Sequence, residues 1–501
     1  MRTPRLLLLS TLAAFLTAAC TVGPNFKRPD PPATAAYSQS MPASGSATSV
    51  AYGGDIAADW YQLFHSETLN TLVHEALRNN PDLEAARHGL LAAQWELKAV
   101  SGSALPQIDA SGQISRSHIN GSEFLGPVNQ LNATGNRFAL GPSLAYNLDV
   151  FGGIRRSIES QQAATANIRD QVLNTYITLV DQVIITSFDY AATLAQIDVT
   201  QALVNDLGAQ FELTQALEKA GKVTRSDTLQ AQTQLENVRA TLPSLEQQRD
   251  TYRNALARLT GETPDEFLTP ALSLRDFTLP QQLPVSVPST LVQHRPDILA
   301  AQDNLHEASA RIGVAAAARL PSITLSAQYA QQTTYLHEFL TRPGGVWSVG
   351  PDLAAPLFHG GTLAAREKEA REQYSQAQAT YRSTVIGAFV EVADALRSLE
   401  HDSDSYTAHN RALDAARANR DLAVAQYRAG RYTELQVLTA EQQYQDAALS
   451  QVQADAQRFT DITTLFRALG SGWWNTPQDP SLLPVAQART SDDNHRVAAA
   501  Q

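Results

Sequence analysis

Two hydrophobic periods alternate along this chain, and they do so twice. From residue 61 to residue 100 the spacing is helical: Leu69, Leu72, Ala76 and Leu77 share a face, the pattern breaks at Asn79-Asn80-Pro81, and a second run continues through Ala99. A proline at the head of that run suits the first turn of a helix, where its missing N–H would be unpaired anyway. After Pro106 the period falls to two. Ile108, Ala110, Gly112 and Ile114 alternate with Gln107, Asp109, Ser111 and Gln113. Beyond a polar loop (Ser115 to Asn136), Phe138, Leu140, Pro142, Leu144, Tyr146, Leu148 and Val150 again occupy one face. Strict alternation over this length predicts strands with a single apolar face, at about 107–119 and 137–151.

The second half repeats the first. Ile323, Leu325, Ala327 and Tyr329 alternate in a strand at about 322–332, and Trp347, Val349, Pro351, Leu353, Ala355 and Leu357 in one at about 346–358. NNPDLEAARHGL around Pro81-Asp82 is echoed by HRPDILAAQDNL around Pro296-Asp297, and each pair precedes its strand-opening proline, Pro106 or Pro321, by the same interval. Gly141-Pro142 and Gly350-Pro351 likewise precede AGKVT and AGRYT at equal distance. In between, Leu173, Ile177, Val180 and Ile184 advance by alternate steps of four and three, as do Val385, Phe389, Val392, Leu396 and Leu399. Such stepping is a coiled-coil seam. It predicts long helices at about 154–219 and 362–428; about 65 residues at 1.5 Å each span ~100 Å. A turn at Gly221 or Gly430 then reverses the chain into return helices, about 225–260 and 434–469. Two copies of one unit, 59–270 and 271–475, present the same faces to be buried.

Strands of about ten residues are long enough to cross a bilayer when tilted. Four of them leave two raw edges, and each unsatisfied backbone group in hydrocarbon costs several kcal/mol. Three copies supply twelve strands, wide enough for a lumen, with the helices closing into a matching cylinder. The fold expected is mainly α with a transmembrane β part: a trimeric twelve-helix α-barrel topped by a twelve-stranded β-barrel, four strands per protomer. Phe138, Leu140, Leu144, Tyr146, Trp347, Val349 and Leu353 are the expected lipid-facing side chains, with the alternate residues facing water.

Composition narrows the picture. A net charge of −12 leaves no basic footprint for nucleic acid, and no long apolar run suited to a membrane-spanning helix follows the N-terminus. Arg2 and Arg5, the apolar run from Leu6 to Leu16 and the small Thr17-Ala18-Ala19 read as a secretory signal, 1–19. It ends at Cys20, the only cysteine, which can make no internal disulfide. Cys20 reads as the lipid attachment site of a bacterial lipobox; an incidental cysteine beside an ordinary cleavage site is the alternative. Thr17 stands where leucine is commoner, and Thr21 where aspartate typically retains lipoproteins in the inner membrane. Acyl chains contribute roughly 0.8 kcal/mol per buried methylene, so three anchor firmly. Residues 20–58, rich in Pro, Ala, Ser, Thr and Gly, read as an acylated extended arm, and the polar tail 476–501 as disordered.

Enzymatic readings fail. His74-Glu75 leads to Arg78 and not to the second histidine of a zinc-protease helix, and Gly221-Lys222 lacks the upstream glycine and following Ser/Thr of a phosphate loop. No GxSxG elbow occurs. The 11 histidines are scattered. No catalytic residue, metal or cofactor is expected.

The ordered stretches CTVGPNFKRP (20–29), DWYQLF (59–64), ALRNNPDLEAA (76–86), YNLDVFGGIRR (146–156), APLFHGG (355–361) and ALGSGWW (468–474) carry a resemblance. The chain resembles TolC-like outer-membrane efflux proteins, in the NodT-type lipoprotein branch serving resistance-nodulation-division pumps. That resemblance implies a homotrimer in outer-membrane lipid, acting as the passive exit duct of a tripartite pump for small amphipathic compounds or drugs. Its partners would be a periplasmic adaptor and an inner-membrane transporter of that class. An outer-membrane duct of an ATP-driven (type I) protein secretion system is the alternative, and a pore-less coiled-coil lipoprotein a third reading that the alternating strands disfavour. The tips Ala220, Gly221, Lys222, Val223 and Thr224, and Ala429, Gly430, Arg431, Tyr432 and Thr433, resemble the family's adaptor-contacting tips, while also standing as good turns in their own right. The family's periplasmic aperture corresponds to Leu435, Gln436, Thr439 and Gln442. Its acidic positions are neutral here; Glu434 and Glu441 are the nearby acids, and Asp227 holds the equivalent place in the first copy.

Overall fold

The computed structural model describes residues 21–30, 37, 49–120, 132–341 and 344–475. The expected signal 1–19, Cys20 and the tail 476–501 lie outside the described residues, as does much of the arm. The first passage consists of α1 (Glu67–Asn79), α2 (Pro81–Gly102), β2 (Gln107–Asn120), β3 (Asn132–Leu148), α3 (Gly153–Lys219), α4 (Arg225–Arg239) and α5 (Leu242–Thr260). The same order returns in α6 (Pro288–His294), α7 (Pro296–Ala317), β5 (Ser322–Thr333), β6 (Gly345–Ala354), α8 (Thr362–Arg428) and α9 (Glu434–Ala468). The remaining strands, β1 (Ser49–Tyr52) and β4 (Gln282–Val285), form a small parallel pair.

Several bounds differ from the sequence reading, and the strands expected to run to 151 and 358 end at Leu148 and Ala354, leaving Val150, Ala355 and Leu357 outside the ladder. The strand expected from 137 begins earlier, at Asn132, inside the polar stretch read as a loop, because the β2–β3 ladder continues past the apolar face through Arg116 opposite Asn136 to Asn120 opposite Asn132. Backbone pairing outlasts side-chain alternation there. The return expected at 225–260 is two helices, since Pro243 has no N–H and its ring excludes the carbonyl four residues back, at Arg239, where α4 ends. The arm, read as extended throughout, contributes β1.

The chain divides into two compact units, each drawing on both halves of the sequence. One consists of residues up to Pro29, Leu90–Ile168 and Ala300–Arg382 and holds the four-stranded antiparallel sheet, in the order β2-β3-β5-β6. Gly141 is needed there by close approach, because a Cβ at that position would sit 1.9 Å from the Tyr329 carbonyl oxygen.

The other unit is centred on stacked aromatics. Trp60 stacks on Phe466 at 4.6 Å, and Phe188 meets Phe64, Phe277 and Phe459 at 5.0, 4.8 and 5.2 Å between ring centres. Trp60 and Phe64 of the DWYQLF stretch are thus core residues, almost wholly buried. The two proline-aspartate sites do matching work here. Asn80, before Pro81, accepts from the Leu83 N–H and donates Nδ2 to the Leu259 carbonyl near the end of α5. Arg295, before Pro296, donates Nη1 to the Ala468 carbonyl ending α9 and pairs with Asp297 and Glu391. In each passage the residue before the proline holds the last turn of that passage's return helix, satisfying carbonyls the helix cannot.

Candidate functional site

Directly opposed residues of an antiparallel sheet share a face, so the register decides what each side presents. Ile108, Leu144, Ala327 and Val349 form one continuous row, and on the same side Ala110 lies opposite Pro142 and Tyr329 opposite Trp347. Phe138 lies opposite Ile114, Leu140 opposite Gly112, Tyr146 opposite Leu325 and Leu353 opposite Ile323. All seven expected lipid-facing residues therefore lie on one side. The other carries Asp109, Ser111, Gln113, Ser143, Asn147, Thr324, Ser326, Gln328, Ser348 and Asp352, with Ser326 Oγ donating to Asp352 Oδ2 at 2.7 Å. On the apolar side Ile114, Trp347, Val349 and Leu353 are strongly exposed in the single chain. Neither β2 nor β6 has a strand on its outer edge among the described residues.

The two helix tips are built alike. At the first, Gly221 N–H donates to the Glu218 carbonyl at 2.8 Å and Lys222 N–H to Leu217 at 2.9 Å; at the second, Gly430 donates to Tyr427 at 2.8 Å and Arg431 to Gln426 at 2.9 Å. These bonds satisfy the last carbonyls of α3 and α8 and require left-handed glycines, φ 67 and 71. Both return helices open on a capping box: the Thr224 N–H donates to Asp227 Oδ2 and the Thr433 N–H to Gln436 Oε1, each at 2.8 Å. Ala220, Gly221, Lys222, Thr224, Ala429, Gly430, Arg431, Tyr432 and Thr433 are exposed, and Val223 is partly covered.

Of the four expected aperture residues, Leu435, Thr439 and Gln442 line a cleft of about 350 Å³ with Ser226, Leu229, Gln230, Thr233 and Gln234 of α4. Gln436 is not among them; its side chain is engaged in the cap. Leu438 closes the floor of this cleft and packs with Leu203, Val204 and Leu207 of α3 and Leu235 and Val238 of α4.

The nearby acids face inward. Glu434 is buried, accepts from Gln210 Nε2 at 3.0 Å, and is pushed up by burial against the pull of Tyr427, Gln210 and Thr214. Glu441 is buried as well, and burial pushes it up to about 7. The sequence held a signal for this, because Glu434, Val437, Glu441 and Ala448 step by three, four and seven along the buried seam of α9.

The N-terminal stretch is clamped within its unit by residues that spacing alone did not single out. Val22 N–H donates to the Phe151 carbonyl, while the buried Arg156 donates to the carbonyl of Val22 and to Asn25 Oδ1. Arg156 also pairs with Glu159, which contacts His306, and Phe26 stacks on the His306 ring at 4.4 Å. Cys20, just before this clamp, lies outside the described residues. Among the described residues no group of three or more His, Cys, Asp or Glu is placed to hold a metal, and no helix is long and apolar enough to cross a membrane.

The profile of the family described as outer membrane efflux protein matches residues 72–262 and 287–471. The chain is 29% identical over 478 residues to the probable efflux pump outer membrane protein TtgC of Pseudomonas putida, covering 93% of this chain and 96% of that protein. Nodulation protein T of Rhizobium leguminosarum is 26% identical over 490 residues, covering 96% and 97%. The solved outer-membrane channel OprN matches with a TM-score of 0.81 at 28% identity, over 91% of this chain and 100% of that one.

Proposed function

The chain belongs to the outer membrane efflux protein family, and from that premise we propose how it makes a conduit. It is the outer-membrane channel component of an efflux pump. In our reading three copies close a twelve-stranded barrel in the outer membrane, with twelve helices forming the duct below and each copy held by acyl chains on Cys20. The first passage (59–270) and the second (271–475) each contribute two strands, one long helix with its return, and one tip to that ring. The observation that carries this reading is the open amphipathic sheet: its two unpaired edges and its exposed apolar face are both satisfied by neighbouring copies and lipid. The polar face then lines the lumen. The tips at 220–224 and 429–433 meet a periplasmic adaptor, Leu435, Thr439 and Gln442 border the aperture, and a proton-driven inner-membrane transporter supplies the energy. A duct with no catalytic centre carries small amphipathic compounds without transforming them.

The test is complementation. In a strain lacking its own efflux channels, the chain with a compatible adaptor and transporter should restore extrusion of an amphipathic dye, and cross-linking in membranes should give a trimer. A chain that inserts yet stays single, or that restores only secretion of a large protein with an ATP-driven transporter, defeats the reading.

A further inference from the structure

We propose that Glu441 is a proton-operated latch on the second hairpin: while its carboxyl holds a proton, α8 and α9 stay packed against α3, and ionisation releases them. The inference rests on the channel reading and adds to it a control on the aperture.

Glu441 is 7% exposed, and its Oε2 has no hydrogen-bond partner. It lies on the same turn as Thr439 and Gln442 but faces the opposite way, into the seam with Ala440 and Ala448. The charged groups that face it come from two other helices: Arg420 and Asp421 from α8, and Asp206 from α3. Arg420, the one cation among them, is already engaged. Its guanidinium pairs with Asp421 at 2.8 Å, reaches Asp206 at 3.7 Å, and lies 4.3 Å over the Tyr444 ring of α9. Through Asp206 it ties α8 to α3, as Gln210 ties α9 to α3 through Glu434.

An ionised Glu441 is therefore a third carboxylate around one guanidinium, in a site where its second oxygen finds no donor. Two responses are open to the structure. Arg420 can turn toward Glu441 and abandon Asp206, or the hairpin can move outward until water reaches the carboxylate. Both cut the tie to α3, and both shift the turn that bears Leu435, Thr439 and Gln442.

The sign follows from burial, which moves Glu441 from its ordinary 4.5 to about 7 in the packed state, with Arg420 lowering it and Asp206 and Asp421 raising it. Once released and hydrated, the carboxyl returns to its ordinary value. Between the two values the packed hairpin binds one proton more than the released one, so packing weakens about tenfold for each unit of rising pH. Above the packed value both states are ionised and the dependence ends. The whole window is worth at most roughly three hundredfold in the packed-to-released ratio.

The experiment compares the full-length protein with Glu441→Gln, which keeps the shape and removes the titration. Amide hydrogen exchange over 434–445, corrected for intrinsic rate, should rise between pH 5 and 7 in the unmodified protein and stay flat in the variant. In planar bilayers open probability should follow the same curve in the unmodified protein and remain low in the variant. Exchange with the same pH dependence in both proteins, or with none in either, overturns the latch. Exchange that behaves as expected, without conductance from either protein or from one whose 429–433 tip is deleted, upholds the latch and defeats the channel reading instead.

Discussion

At the scale of single residues, the proline-aspartate sites show what sequence does and does not reveal. That Asn80 and Arg295 occupy equivalent places is plain from NNPD and HRPD. Their partners are not, because the carbonyl that Arg295 holds belongs to Ala468, 173 residues away, and no local pattern encodes that distance. The two sites should also differ in cost. Arg295→Ala frees the Ala468 carbonyl and takes the buried cation from Asp297 and Glu391; because those carboxylates are 34% and 44% exposed, the loss should lie near the lower end of the about 3–5 kcal/mol for breaking a buried pair. Asn80→Ala removes neutral hydrogen bonds to Leu83 and Leu259 and should cost about 1–3 kcal/mol, the range for a buried group left unpaired. Thermal unfolding of the two variants in detergent checks the order; equal losses would show that the Arg295 carboxylates are hydrated. The buried glutamates of α9 were half legible, since their seam spacing is written in the sequence. Their chemistry was not, because it depends on Arg420 and Asp206 arriving from other helices.

Among elements, the tips were the most legible, because each condition for them is local: a left-handed glycine, a threonine cap and an Asp or Gln three residues later to close the box. The return helix was less so. Pro243 marks its break, yet the apolar pattern runs on through the break and hides it. The start of β3 escaped for the opposite reason, as the rungs from Asn132 to Asn136 need only backbone groups and no alternation. Tip geometry has a measurable consequence. A β-branched residue at Gly430 must adopt φ near 71, which costs of order 1–3 kcal/mol. Because nothing lies within 4 Å of the added Cβ, Gly430→Val should strain only the exposed turn. We expect a drop in Tm of a few degrees at most, with adaptor capture by the purified channel falling at least tenfold. Undiminished capture would remove Arg431, Tyr432 and Thr433 from the docking surface. Gly221→Val, with φ 67 at the first tip, reports whether both tips share the load.

For the whole molecule, the alternation of the strands fixes which side is apolar, but the closed ring we propose would be a property of several chains, traceable only in what one chain leaves unsatisfied. The sheet's two faces supply the sharpest contrast. Leu140 and Gln113 lie in neighbouring rungs near the middle of the β2–β3 ladder, Leu140 opposite Gly112 and Gln113 opposite Ala139, and they point to opposite sides. An arginine on the lipid side of a barrel near the bilayer midplane costs about 2–4 kcal/mol, whereas a lumenal position tolerates charge and alters selectivity. Leu140→Arg should therefore lower the yield of folded, heat-modifiable trimer on semi-native gels and shift its urea midpoint downward by that amount. Gln113→Arg should leave assembly intact and move the ion preference of the bilayer conductance toward anions. Had the faces been assigned the wrong way round, the two phenotypes would exchange. If neither variant affected assembly, the sheet would be a solvated hairpin pair outside the membrane, and the unpaired edges of β2 and β6 would need another explanation. Both faces are read in the same protein by the same substitution, so differences in expression or in the general tolerance of strands for arginine cancel, and only the environment of each face remains to separate the outcomes.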